Sequence, residues 1–389
     1  MLMLTILVIG AASLLVGSLS RSAPQITRDL KTGLALALAR EALLDDSVSQ
    51  TPFTSSGYLR LPDLGFKIGL IPAEGSAAPN FSGNSKDFSV IGKLPWRTLG
   101  LEPLRDAQGE CLWYAVSGRF KNTPATETLN WDTAGQISVG DAKGNIVAEN
   151  LAALVIAPNQ IVDAQNRTLS DPAYAQCGGN YDARNYLDRH SASARDFDNV
   201  SDAANYFSGS INNRVARDAG NKLVVMAGGS HPNDRFVFIS VDDIFRALIR
   251  RSDFSTQVAA LLNDAYFMAV AITGSKGTDS VNCNALGSDN QTFCKNWKEM
   301  LLLAQLPVPA SVTLDGSATG VCSRVLFFGG EKIASQLRLT GADKLKPSNY
   351  LEGINLSAYA SPVALAGNFS GTSTFNAKHP AADVLKCLA

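Results

Sequence analysis

The residues best suited to chemistry in this sequence are six cysteines, namely Cys111, Cys177, Cys283, Cys294, Cys322 and Cys387. No two of them form a CxxC pair, which argues against a zinc ribbon or a thioredoxin-like redox site. An even number of cysteines suits disulfide bonds in an oxidising compartment. The alternative is six buried free thiols in a cytosolic protein.

Spacing favours one pairing among the many that six cysteines allow. Cys283 and Cys294 bracket the short polar loop NALGSDNQTF, and closing such a loop stabilises a protein by roughly 3 kcal/mol. A bond from Cys322 to Cys387 returns the C-terminal tail to the rest of the protein. Cys111 and Cys177 are then paired by elimination.

No other residue pattern indicates catalysis. His190, His231 and His379 lie outside any HExxH, HxH or zinc-ligand spacing. There is no GxSxG elbow, Walker loop or GxGxxG turn, and residues 316–320 have the glycines of a phosphate loop without its lysine. We predict a protein that is not an enzyme, with no catalytic or metal-binding residues and no cofactor. Calcium in an irregular loop stays open, because such sites leave little trace in a sequence.

Composition excludes further classes of function. The 389 residues carry 34 Lys and Arg against 35 Asp and Glu, a net charge of −1. Without a basic surplus to contact phosphates, we expect no nucleic-acid partner. A hydrophobic content of 46% with 18% charged residues indicates a globular protein of roughly two to three domain-sized units.

The N-terminus begins with an uncharged run, Met1 to Leu19. As a helix this run is about 28 Å long, close to the hydrocarbon thickness of a bilayer. We predict a transmembrane anchor over 1–20. A cleavable signal peptide and a buried core helix are the alternatives, although the positive n-region of a signal peptide is absent.

An amphipathic segment follows over 21–46. Ile26, Leu30, Leu34 and Leu38 recur every four residues, while charged residues occupy other faces. This pattern predicts a helix that lays an apolar packing stripe against a soluble head. Pro24 is expected to kink the helix between its two halves.

This design resembles the type IV pilins and pseudopilins, in which an apolar N-terminal helix continues into an amphipathic half on a β-rich head. The resemblance covers 1–46. The prepilin peptidase site and the acidic residue near the start of the helix are absent, so the leader would precede Met1 or the protein is a divergent member. A head far larger than that of a typical major pilin favours a minor subunit.

Three further blocks resemble large pilin-like proteins of Gram-negative bacteria: Ile91 to Asn122, Leu129 to Val139 and Ala152 to Asn159. This resemblance implies a single-pass inner-membrane protein with a periplasmic head, extracellular when in a filament. It implies pilin or pseudopilin subunits and the inner membrane as partners. It brings no catalytic residues.

Residues 47–389 are predicted to form the exported head, with an insertion containing helices over 160–310. A hairpin is expected across 140–144, a central strand over 151–157 and a strand pair over 222–227 and 235–240. Helices are expected from 244, over 256–271 and over 291–305. The fold class is α+β: a long N-terminal helix, membrane half plus amphipathic half, packed on an antiparallel-sheet head with helical and loop insertions.

Three functions are consistent with these features. The first is a minor pilin-like or pseudopilin-like structural subunit of a type IV pilus or type II secretion system, assembling through its N-terminal helix. The second is a binding protein or adhesin, periplasmic or on the cell surface, that uses the helix only as an anchor. The third is a periplasmic enzyme. The amphipathic continuation favours the first.

Overall fold

The computed structural model describes most of the chain, with the side chains of the first helix described from Gln25 onward. The described residues are 2–51, 53–65, 73–79, 89–123, 125, 128–141, 145–161, 165–168, 176–177, 179–181, 183–187, 206–207, 215–217, 223–227, 234–269, 281–360 and 368–389. They divide into two compact units. Unit 1 comprises Met1–Asp46, Leu59–Ala125 and Gly135–Ser240, and unit 2 comprises Ser47–Tyr58, Thr126–Ala134 and Val241–Ala389.

The first element is a long helix, α1, that spans Leu2–Ser49 and runs through Pro24. Its alanine- and leucine-rich stretch 34–44 consists almost entirely of strong helix formers. Most of α1 belongs to unit 1.

The described residues of unit 1 form two sheets. The first has five strands in the order β6-β1-β2-β5-β9, and every neighbouring pair is antiparallel. The second has four strands in the order β4-β3-β8-β7, with β3 and β8 parallel. The strand bounds are β1 Ser89–Lys93, β2 Trp113–Val116, β3 Ile137–Asp141, β4 Ile146–Leu151, β5 Ala153–Ala157, β6 Tyr206–Phe207, β7 Val215–Arg217, β8 Leu223–Ala227 and β9 Arg235–Ile239.

The core of unit 1 is built on the central strands of its first sheet. All five residues of β5 are buried, as expected for a continuous apolar run between two partner strands. Trp113 on β2 contacts Tyr186 with ring centroids 5.1 Å apart, and Ile91, Leu154 and other apolar residues complete the cluster.

In unit 2 the described residues form short helices and one sheet in the order β12-β10-β11-β13. Its pairs are antiparallel except the parallel pair of β10 and β12. The bounds are α2 Val241–Leu248, α3 Ser252–Leu262, α4 Ala265–Ala269, α5 Ser288–Trp297, β10 Leu301–Leu314, β11 Ser317–Phe328, α6 Gly341–Lys344, α7 Gly353–Ala360, β12 Ser370–Gly371 and β13 Val384–Leu388.

Aromatic side chains fill the core of unit 2. Trp131 meets Trp297 edge to face at 4.8 Å, and Phe254 meets Phe375 at the same distance. Such aromatic pairs contribute about 0.5–1.5 kcal/mol beyond the burial of their area. Trp96 and Trp113 of unit 1 are buried in the same way as Trp131.

The predicted membrane half of the N-terminal helix is wrong. Among the residues that the structure describes, none of the helices combines the length and the apolar character that crossing a bilayer requires. A span needs about 20 consecutive apolar residues, and the described side chains of α1 include charged residues as early as Arg28 and Asp29. The predicted single-pass inner-membrane localisation is contradicted by the same finding.

The predicted antiparallel head is also wrong in part. The α+β mixture is present, but two of the three sheets that the described residues form contain a parallel pair, β3 with β8 and β10 with β12. The strands expected to pair over 222–227 and 235–240 lie in different sheets, as β8 and β9. Periodicity indicates that a strand exists but not which neighbour it pairs with.

Two local predictions have opposite outcomes. The hairpin is confirmed, because β3 and β4 pair antiparallel around 142–144, although that turn itself lies outside the described residues. The helix expected over 291–305 ends at Trp297, and β10 begins at Leu301 and contains Pro307 and Pro309. Both prolines lie where the pairing of β10 with β11 is interrupted, between Gln305 and Ala310. Proline is tolerated there because its missing N–H is not needed for a ladder hydrogen bond.

Candidate assembly surface

The face of α1 that packs into unit 1 is not the predicted one. Its buried residues recur at intervals of three and four, as expected for one side of a helix. They are Thr32, Ala35, Leu36, Ala39, Leu43 and Leu44. The small side chains of Ala35 and Ala39 allow the helix backbone to approach the unit closely.

Polar contacts fix α1 in this rotation. The hydroxyl of Thr32 accepts a hydrogen bond of 3.1 Å from the backbone N–H of Ala107. Arg40 Nε donates to the carbonyl of Phe238 on β9 at 3.1 Å, and Asp29 pairs with Arg235 at 2.8 Å. These contacts anchor the helix at separate levels along its length.

The predicted packing stripe therefore faces outward. Ile26, Leu30, Leu34 and Leu38 keep 57%, 62%, 70% and 49% of their surface exposed. The prediction that they pack against the head is wrong, because the run LALALA is apolar on every side and the alanine face is the one that fits. We call these four residues the α1 stripe.

Other exposed residues complete the surroundings of the α1 stripe. Gly33 lies on the same exposed side, with open space where a side chain would be. Arg28 and Lys31 are exposed near its first half, and Glu41 and Asp45 are exposed beyond its last leucine. A row of large apolar side chains on an anchored helix, with charges at both ends, can bind a second apolar surface.

The cysteines are joined in the three predicted pairs. Cys111 bonds Cys177 in unit 1, and Cys283 bonds Cys294 in unit 2. Cys322 on β11 bonds Cys387 on β13, so the C-terminal strand is covalently attached to the sheet. All six cysteines of the sequence are thus oxidised.

Sequence reasoning missed a buried polar cluster in unit 1. Asp63 and Lys93 face each other across an antiparallel bridge with backbone hydrogen bonds of 3.0 Å in both directions. The Lys93 ammonium lies 4.4 Å from the ring centroid of Tyr181, whose hydroxyl donates to Asp63 at 2.8 Å. Glu74 is buried nearby and accepts a hydrogen bond of 2.6 Å from the N–H of Cys177.

The electrostatics of this cluster follow from its burial. Loss of solvent lowers the pKa of the Lys93 amine to about 8, although Asp63, Glu74 and Glu110 act in the opposite direction. The side chains of Lys93, Asp63 and Glu74 are almost completely inaccessible. The cluster can hold the loops around the Cys111–Cys177 bond, and its three buried side chains are not exposed to a substrate. A weak sequence signal existed, namely polar residues within otherwise apolar stretches.

The remaining chemical candidates give no site. No group of three or more His, Cys, Asp or Glu residues suited to a metal ion is present in the described parts of the chain. His379 lies in a turn, where its N–H donates to the carbonyl of Asn376. His190 and His231 lie outside the described residues.

Comparison with known proteins yields no relative. The chain matches no protein-family model, no curated protein and no solved structure.

Proposed function

We propose that the protein is a minor pilin-like or pseudopilin-like structural subunit that assembles with other such subunits through α1 and performs no catalysis. The observation that carries this proposal is the α1 stripe: four large apolar residues exposed on a helix whose opposite face is anchored in unit 1. Soluble proteins seldom leave such rows uncovered unless the row is an interaction site.

Burial of the α1 stripe supplies the driving force for assembly. Covering the exposed surface of each side chain of the α1 stripe contributes roughly 1–2 kcal/mol to the free energy of association. Part of this gain offsets the loss of translational and rotational freedom on association. Since α1 is already ordered and held by Thr32, Arg40 and Asp29, little further ordering is needed.

The disulfides support the same proposal. Three disulfide bonds cross-link the chain, which suits a structural subunit. The Cys322–Cys387 bond joins β13 to β11 covalently, so β13 cannot detach from its sheet while the bond is intact.

Sedimentation velocity of the full chain over a range of concentrations tests the proposal. We expect the unmodified chain to associate, and the Leu30→Glu and Leu34→Glu variants to remain monomeric, because a carboxylate in the interface would be desolvated. Val308→Glu is the matched control, since Val308 on β10 is as exposed as Leu34. A monomeric unmodified chain, or equal association of all variants, contradicts the proposal.

A further inference from the structure

The sequence contains a motif for covalent modification that lies outside the α1 stripe. The triplet Asn-x-Ser/Thr, in which x is not proline, is the acceptor sequence for N-linked glycans. It begins at residues 80, 166, 199, 290, 355 and 368. Residues 80–82 and 199–201 lie outside the described residues. The triplet alone is a weak signal, so the local structure of each one decides whether a glycosyltransferase can use it.

The triplet at Asn166 lies on the surface of unit 1 in a segment whose burial alternates. Asn166 and Thr168 are exposed, whereas Gln165 and Arg167 are buried. The guanidinium of Arg167 donates to several backbone carbonyls of unit 1. Gln165 Nε2 donates to the carbonyl of Leu187 at 3.1 Å. The two buried side chains therefore hold the segment in place, and the two polar side chains of the triplet stay accessible to solvent.

Within the triplet, the side chain of Asn166 is bound to Thr168. Asn166 Oδ1 accepts a hydrogen bond of 3.1 Å from the backbone N–H of Thr168 and one of 2.6 Å from its hydroxyl. A backbone N–H can only donate, so the amide atom that faces it is the oxygen. The amide orientation is thereby fixed, and Nδ2 makes no hydrogen bond to the described residues.

This geometry prepares the amide for reaction at its nitrogen. The two donors on Oδ1 draw electron density towards the oxygen, which makes the Nδ2 hydrogens more acidic. An Asn side chain bound to the backbone two residues further on forms an Asx turn. The turn places the amide and the hydroxyl of the triplet side by side on exposed residues. A transferase can therefore approach both groups from the solvent.

The other triplets in the described parts of the chain lack this geometry. Asn290 lies in α5, and its Nδ2 donates to Asp264 at 2.7 Å. Asn355 is only 6% exposed, and its Nδ2 donates to Asp383 at 2.8 Å. Both amide nitrogens are therefore occupied. Asn368 is exposed, but the backbone N–H two residues further on donates to Asn355 instead.

We propose that Asn166 is the acceptor of an N-linked glycan, transferred from a polyprenyl-diphosphate carrier. Nδ2 forms a bond to the anomeric carbon of the first sugar. The bond from that carbon to the diphosphate oxygen breaks, and the polyprenyl diphosphate leaves with the electron pair. One Nδ2 proton passes to a base of the transferase, so the step needs neither oxidant nor reductant. This inference goes beyond the assembly role of the α1 stripe and does not depend on it.

Peptide mapping of the chain purified from the cells that produce it naturally tests the proposal. A glycoamidase in heavy-oxygen water removes the glycan and leaves a heavy-oxygen label at the modified position. We expect the label at position 166 and none at positions 290 and 355. A sample without the glycoamidase controls for spontaneous deamidation. An unlabelled position 166 overturns the proposal.

Transfer to the folded, disulfide-bonded chain in vitro tests the role of the geometry. The probe is a polyprenyl-diphosphate glycan with a purified oligosaccharyltransferase. We expect Asn166 to be modified at least tenfold faster than Asn290 or Asn355. After reduction and unfolding this preference should disappear. Equal rates at the three positions of the folded chain would overturn the proposal, because the fold would then not select Asn166.

Substitutions of Thr168 separate the hydroxyl from the shape of the side chain. Thr168→Ser keeps the hydroxyl and should retain the transfer. Thr168→Val has nearly the same shape without the hydroxyl and should lower the rate at least tenfold. Thr168 is exposed, so neither change should disturb folding, and circular dichroism checks this. Undiminished transfer to folded Thr168→Val would contradict the proposal.

Discussion

Arg338 Nη1 lies 3.3 Å from Asp132 Oδ2, and both side chains are shielded from solvent within unit 2. Burial raises the pKa of Asp132, whereas Arg338 opposes that shift. The pair joins the turn that carries Asp132 to residues 336–339, of which Gln336 and Arg338 are buried and Leu337 and Leu339 are exposed. The ion pair therefore holds that segment in place.

Removal of one partner should destabilise unit 2. We expect Arg338→Ala to lower the free energy of unfolding by about 3–5 kcal/mol, because it leaves a buried carboxylate without its counter-charge. Arg246→Ala is the control, since Arg246 pairs with Asp242 on the surface of α2 and should cost less than about 1 kcal/mol. Urea titration measures both, and similar values would mean that the buried pair is unimportant.

The two faces of α1 should respond oppositely to truncation. Leu36 is only 3% exposed, so Leu36→Ala should cost about 2–5 kcal/mol of stability. Leu34→Ala should change stability by less than about 0.5 kcal/mol, as is usual for surface positions. Thermal and urea unfolding of the full chain check this difference. A larger loss for Leu34→Ala would place the packing face where the sequence pattern first suggested it.

Stability should depend on pH through Asp383. Burial raises the pKa of this carboxyl to about 7, even though Asn355 donates a hydrogen bond of 2.8 Å to it. An unfolded Asp titrates near pH 4, at about 3.9. Between these values the folded protein binds more protons than the unfolded chain, so stability falls as the pH rises from about 4 to about 7.

Asp383→Asn should remove most of this slope. A shift of this size corresponds to as much as about 4 kcal/mol across the window. Unfolding at pH 5 and pH 7.5 is compared for the original chain and the variant. An unchanged difference between the two pH values would assign the dependence to another group, such as Glu352, whose pKa burial also raises.

The disulfide bonds should contribute unequally to the stability of the folded protein. Peptide mapping without reduction should recover the three bonded pairs. Cys322 and Cys387 are separated by 65 positions, and in the chain-entropy model their bond adds about 4 kcal/mol to the free energy of unfolding. Cys283 and Cys294 are separated by 11 positions, and their bond adds about 3 kcal/mol. Paired Cys→Ala variants measure both losses. Free thiols in protein purified without reductant would contradict the bonds themselves.

The sequence predicted part of the fold for physical reasons. The cysteine pairs followed from loop length and parity, and the buried strand β5 from an unbroken apolar run. The hairpin of β3 and β4 followed from a turn rich in glycine and aspartate. Each of these signals is local, or depends on only two positions.

The candidate site could not be predicted correctly from the sequence. Leu34 and Leu36 are both apolar, and only the tertiary contacts of Thr32 and Arg40 decide which of them faces inward. The exposure of Leu337 and Leu339 could not be predicted for a related reason. An alternating pattern of apolar and polar residues does not show that Arg338 is the buried one. The parallel pairing of β3 with β8 depends on strands far apart in sequence.

Hydroxyl-radical footprinting of the full chain tests the assembly role of the α1 stripe most directly. Oxidation of Leu30, Leu34 and Leu38 is compared between dilute monomer and the associated fraction, with buried Leu43 as an unreactive internal reference. The account predicts strong protection of the three leucines on association and no change at exposed Val308. Equal oxidation of the three leucines in both fractions would contradict it.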